Sequence, residues 1–105
     1  MAELVVFGFR GDALDELRAT VELVLGIRME QRDGDSRGGI YFCHHGAREE
    51  YVVLQKNFVA EEQDFAEPAF SGFASLLYVE DTIRATELVV MLEPFARLLR
   101  RSDGR

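Results

Sequence analysis

Cys43, His44 and His45 stand side by side, and thiolate and imidazole are both zinc ligands. On a strand, however, successive side chains face opposite ways, so Cys43 and His45 share one face while His44 points to the other. There is no second Cys or His cluster, and further ligands would have to be carboxylates such as Glu49 or Glu50. The pattern reads as a strand end with one buried thiol and two ordinary histidines, so neither a metal nor another cofactor is expected. Nucleophilic catalysis needs a base and an orienting group beside the nucleophile. Ser36, Ser71, Ser75 and Ser102 lie in no such motif. Gly8 with Gly11, and Gly38 with Gly39, lack the spacing of a dinucleotide or phosphate loop. Asp12, Asp15 and Glu16 would also repel an anion from the helix that follows the first glycine pair. No catalytic residue and no enzymatic activity is expected.

The other chemically suggestive stretch is EEQDFAEPAF, residues 61–70, with Glu61, Glu62, Asp64, Glu67, Phe65 and Phe70 and no basic residue. The acids do not follow the alternating ligand pattern of an EF-hand, which also needs a central glycine and a distal Glu. Solvent cover is the plain reading of such a run. Yet a loop gains nothing by exposing aromatic rings unless they pack somewhere. Aromatic anchors ringed by charge suit a protein-binding hot spot, where charge steers encounter and the rings supply desolvated area. Asp33 and Asp35 in an expected hairpin, with Glu49 and Glu50 before a later strand, would extend that surface if they share its side. Arg37 is the basic exception here and is expected in an internal ion pair.

The elements that position these residues follow from hydrophobic periodicity. ELVVFGF, residues 3–9, is apolar on both faces, as an interior strand is. Leu14, Leu17, Val21, Val24 and Leu25 then repeat at helical spacing, predicting a helix from about Asp12, as N-cap, to Leu25, with Gly26 as C-cap. Residues 27–45 predict two strands around a polar turn, the first of them, with its polar alternation, at a sheet edge. Residues 50–58 and 74–80 predict two more strands. From Thr82 the positions of Leu88, Met91, Leu92, Phe95, Leu98 and Leu99 keep helical phase, with a kink near Pro94. The sum is an α+β, two-layer fold in the order β-α-β-β-β-β-α: a mostly antiparallel five-stranded sheet with both helices on one face. Residues 1–101 form one domain and 102–105 a frayed tail.

Composition narrows the function. The 105 residues carry 19 acidic and 12 basic side chains, a net charge of −7, which disfavours gripping nucleic acid or an anionic membrane and favours a basic protein partner. Cys43 is the only cysteine, so no intrachain disulfide forms and nothing asks for an oxidising compartment. The first residues lack a basic n-region and a cleavable apolar segment, so the cytoplasm is the expected location.

SRGGIYF, then EEYVVLQKNF, then an acidic Pro-containing loop leading into LLYVED, resembles the small immunity proteins of bacterial polymorphic toxin systems, in particular contact-dependent growth inhibition. The similarity runs from the first strand to the last helix and rests on the layout of Arg37, Gly38, Gly39, Tyr41, Gln55 and Asn57 with the acidic loop. It implies one-to-one binding to the toxic C-terminal domain of a cognate effector, a nuclease by preference, whose basic groove an acidic inhibitor would occupy. Under that reading the toxin-facing residues are Asp33, Asp35, Tyr41, Glu49, Glu61, Glu62, Asp64, Phe65, Glu67 and Phe70. Gln55 and Asn57 would satisfy backbone groups near the strand end. The rival expectation is a small ligand-sensing or regulatory domain with a ferredoxin-like arrangement.

Overall fold

The first strand, β1 (Glu3–Phe9), is apolar on both faces because it is covered on both and paired on both edges. The structure is a computed structural model and describes residues 2–103. After β1 come helix α1 (Leu14–Leu25), the hairpin β2 (Glu30–Gly34) and β3 (Gly39–His45), and strand β4 (Tyr51–Lys56). A long connection follows, holding a two-stranded ribbon, β5 (Phe58–Val59) and β6 (Asp64–Phe65). Strand β7 (Ser75–Thr82), helix α2 (Ala85–Leu92) and strand β8 (Arg97–Ser102) complete the chain.

The main sheet has six strands in the order β2-β3-β4-β7-β1-β8, antiparallel throughout. Both helices pack on one face. Leu14, Val21 and Leu25 of α1 and Ala85, Leu88 and Leu92 of α2 join Val5, Phe7, Phe9, Phe42, Val52, Leu54, Leu77 and Val79 in one core. The α+β class, the two-layer packing and β2 as an edge strand are as the sequence predicts. Within the sheet, β1-α1-β4 and β7-α2-β8 interleave as two split β-α-β units in the order β4-β7-β1-β8, the ferredoxin-like arrangement, which the β2-β3 hairpin widens.

Four expectations are corrected. The last segment is not a continued helix: α2 stops at Leu92, Phe95 and Ala96 donate their N–H groups to the Leu92 carbonyl, and the chain turns into β8. Pro94 cannot continue the helical hydrogen bonding, and β1 offers an unpaired edge that β8 fills, so the sheet gains a sixth strand. Asp12 does not cap α1. Ala13 occupies that position without a side-chain bond, while Gly26 does close the helix in the left-handed conformation at φ 67°. The strand expected over residues 50–58 breaks at Asn57, where the chain leaves the main sheet. Finally, Ser102 belongs to β8 rather than to a tail; of the expected tail, residues 104–105 lie outside the described residues.

The sheet face away from the helices is also largely buried, by the segment of residues 57–74. Phe73 and Leu99 close over Gly8, where a Cβ would stand 2.7 Å from the Phe73 ring and 2.9 Å from Leu99 Cδ1. Below them Val6, Val53 and Leu76 are fully buried.

Candidate partner-binding surface

Asn57 makes the connection possible. Its buried amide donates to the carbonyls of Phe70 (3.0 Å) and Phe73 (2.8 Å), and its Oδ1 accepts the N–H of Glu67 (3.0 Å). Its own N–H and carbonyl bond Ala74 and Ala66, so one side chain and its backbone close the base of the whole loop. A buried amide with all these groups satisfied fixes a loop that periodicity alone leaves undefined.

On that base stands the acidic surface. The β2-β3 turn runs through Asp35–Arg37 to Gly38, whose φ of 82° and close approach to the Phe58 carbonyl, 3.2 Å from an added Cβ, suit only glycine. The turn therefore leans on β5, and its Asp35–Arg37 segment packs beside the turn Ala60–Glu62. Asp35, Glu61 and Glu62, separate in sequence, thus share one exposed surface, which Asp64 on β6 continues. Among the described residues none of these four carboxylates pairs with a basic side chain. Directly beneath, Phe58 and Phe65 face each other across β5-β6 with ring centroids 5.4 Å apart, edge to face, and Phe58 remains 45% exposed. A shallow cavity of about 330 Å³ opens beside them, lined by Asp12, Lys56, Phe58, Phe65, Ser71 and Gly72 among others.

The remaining expected surface residues separate. Asp33 is exposed, but its pairing with Ile40 sets it on the helix-side face of β2, away from the loop. Glu49 lies in the turn between β3 and β4, at the opposite end of the sheet from Asp35. Phe70 is half-buried, with its backbone bonded to Glu67 and Asn57. Tyr41 is half-buried under Arg37, whose guanidinium lies 5.9 Å from its ring centre. Glu67 turns inward: Arg100 bonds both its oxygens at 2.9 and 3.1 Å and the Tyr78 hydroxyl donates to it at 2.7 Å. The Arg100 bonds hold the Glu67 carboxyl below its ordinary range, and burial beside that carboxylate pushes the Tyr78 phenol well above its own. Phe58, the most exposed ring of the surface, was hidden in the sequence as the end of an expected strand; the break signal was Asn57 beside it.

Arg37 takes the internal role expected of it, donating to Gln55 Oε1 at 2.9 Å with Glu80 at 3.9 Å, while Gln55 bonds the Lys56 carbonyl. With Leu4, Glu67, Tyr78, Glu80, Asp81 and Arg100 it borders a cavity of about 430 Å³ on the loop side of the sheet. This lining pairs acids with bases, Arg37 with Glu80 and Arg100 with Glu67, and Glu67 also accepts the Tyr78 hydroxyl. Cys43 and His45 do fall on one face, with His45 stacked on Tyr51 at 4.5 Å, while His44 turns away to the Arg28 carbonyl. Among the described residues no three His, Cys, Asp or Glu side chains are grouped to hold a metal ion, and no helix is long and apolar enough to cross a membrane. Comparison of the chain with protein-family models, with curated proteins and with solved structures finds no match.

Proposed function

We propose that the chain is a non-enzymatic immunity protein of the contact-dependent growth inhibition kind, which binds the toxic C-terminal domain of a cognate effector and covers its active site with an acidic surface. The observation that carries this reading is the packing of the Asp35–Arg37 turn beside the Ala60–Glu62 turn, next to the exposed Phe58–Phe65 pair. Unpaired carboxylates around a half-exposed aromatic anchor combine long-range attraction with area to desolvate. A nuclease, whose groove must be basic to hold a phosphate backbone, is the toxin that best complements them. The reading implies the cytoplasm of the producing cell, a one-to-one complex, and no contact of this domain with nucleic acid or membrane.

The test is co-expression with the C-terminal domain of the effector encoded immediately upstream. A one-to-one complex that restores growth to cells expressing the toxin supports the reading; no complex, or no such neighbour, sinks it. A second reading, a small ligand-sensing domain, draws on the cavity beside Arg37 and Glu80 and on the ferredoxin-like strand order. Fold alone does not select it. It predicts that a small molecule raises the Tm in the absence of any toxin.

A further inference from the structure

The sheet ends abruptly at β8. No described strand pairs with the outer edge of β8, and α2 packs on the adjacent sheet face. Thr86, Val89, Val90 and Glu93 fall on one flank of α2 at helical spacing. The flank faces the edge: Thr86 accepts a bond from Arg101 at 3.1 Å, and Val89 and Glu93 border a cavity with Leu98. That cavity, of about 470 Å³, has core residue Phe7 among its lining, and Ala96 and Arg97 complete it. Val90 is 66% exposed and Leu98 40%, so apolar surface stands beside the open edge, while Phe95 in the turn before β8 borders a separate cavity with Phe9, Arg10 and Phe73.

Two features say what fits there. The unpaired backbone edge asks for an extended chain, and the apolar cavity beside it asks for a side chain from alternate positions of that chain. The charges then select its composition. Arg97 makes no ion pair among the described residues, and in the pairs Arg100–Glu67 and Arg101–Glu3 the guanidinium is the more exposed partner, with side chains 42% and 37% exposed against 13% and 23% for the acids. Arg97 and Arg100 oppose Gly8 and Val6 on one face of β8, and Leu98 and Arg101 oppose Phe7 and Val5 on the other, so a second copy of this chain, laid edge to edge through β8, would bring two Arg97–Arg100 rows together. The same row accepts carboxylates.

We propose that the β8 edge and the outer flank of α2 form a second interaction surface, which adds to the sheet an extended segment of a partner protein in which acidic and apolar residues alternate. Arg97 and Arg100, on the loop-side face of β8, meet its carboxylates, and on the helix-side face the cavity between Val89 and Leu98 takes one of its apolar side chains. The surface lies at the opposite sheet edge from the β2-β3 hairpin and does not rest on the toxin reading, although Arg100 also bonds Glu67 of the acidic loop.

The test is selection of a random twelve-residue peptide library on the full chain, followed by amide and methyl NMR with the enriched peptides. Expected are sequences alternating Asp or Glu with Val, Ile, Leu or Phe, which shift the amides of residues 97–102 and the methyls of Val89, Val90 and Leu98. Arg97→Glu and Val90→Asp, both at exposed positions, should each weaken binding by about tenfold while leaving the Tm nearly unchanged. Failure to enrich any sequence, enrichment of basic sequences, or shifts elsewhere would overturn the proposal. So would sedimentation showing that the free chain dimerises through β8.

Discussion

Asn57 ties three backbone groups with one amide, so the cost of altering it is the cost of stranding them. Asn57→Ala leaves the Phe70 and Phe73 carbonyls and the Glu67 N–H without their partner and should lower stability by about 2–3 kcal/mol, read from urea unfolding. Asn57→Asp keeps the acceptor for Glu67 but turns a carboxylate oxygen toward two carbonyls. It should therefore destabilise at least as strongly at neutral pH and recover partly in acid, where the group is protonated. Equal stability of both variants to the natural protein would show that water replaces the amide. Glu50 is the second such residue. It is buried and accepts bonds from Thr82 (2.7 Å) and from Arg84 (3.0 and 2.8 Å), and the Arg84 bonds hold its carboxyl below the ordinary range. Because the folded state binds this proton less readily than the unfolded chain, the pair's contribution is complete above Glu50's ordinary value, 4.5, and is lost as the pH falls through its lower folded value. Glu50→Gln should cost about 2 kcal/mol at pH 7 and flatten the acid limb of the stability profile; an unchanged acid limb would assign that limb to other carboxylates. Thr82 does not cap α2, whose N-cap is Arg84; it ends β7 and accepts the Arg84 N–H, and its bond to Glu50, 32 residues away, is invisible to local pattern.

At the scale of elements, the loop over residues 57–74 is held at its base by Asn57 and at mid-span by the Glu67–Arg100–Tyr78 clip, which fastens it to β8 and β7. Arg100→Ala should cost only about 1 kcal/mol globally, since Arg100 is partly exposed, yet raise amide exchange selectively between residues 58 and 70. Natural protein should show the same local loosening in acid, as the pH falls through the depressed folded value of Glu67. Uniform exchange across the sheet in either case would deny the loop its separate hold. How much of this was legible follows from range. The β2-β3 hairpin, α1 with Gly26, and β7 were readable because alternation, helical spacing and a left-handed glycine are local signals. β8 was not, because Phe95, Leu98 and Leu99 fit a helical stripe as well as a strand, and only the open edge of β1 decides between them. The two-residue strands β5 and β6 are too short for any period. Of the acids read as one surface, Asp35, Glu61, Glu62 and Asp64 share a side, but the inward turn of Glu67 depends on Arg100, 33 residues on, and the separation of Glu49 on which end of β3 each turn occupies.

For the molecule as a whole, charge and shape act on different rate constants. The net charge of −7 would attract any basic partner, whereas Asp35, Glu61, Glu62 and Asp64 concentrate that attraction beside Phe58. Reversing these four acids to lysine alters both the global charge and the local field, so a matched reversal elsewhere is needed to tell them apart. Asp15, Glu16, Glu49 and Glu87 are exposed and lie on the helices or at the far end of the sheet, and reversing them changes the net charge equally. If the acidic surface is the toxin interface, the first set should slow association by about tenfold or more at low salt and flatten its salt dependence, while the second should have a much smaller effect. Phe58→Ala should leave association nearly unchanged and speed dissociation by about tenfold, because a desolvated ring acts after encounter. Stopped-flow and surface-binding kinetics across a salt series measure both. Equal slowing by the two charge sets would reduce the acids to a general field, and an unaltered dissociation rate for Phe58→Ala would move the contact off the β5-β6 ribbon.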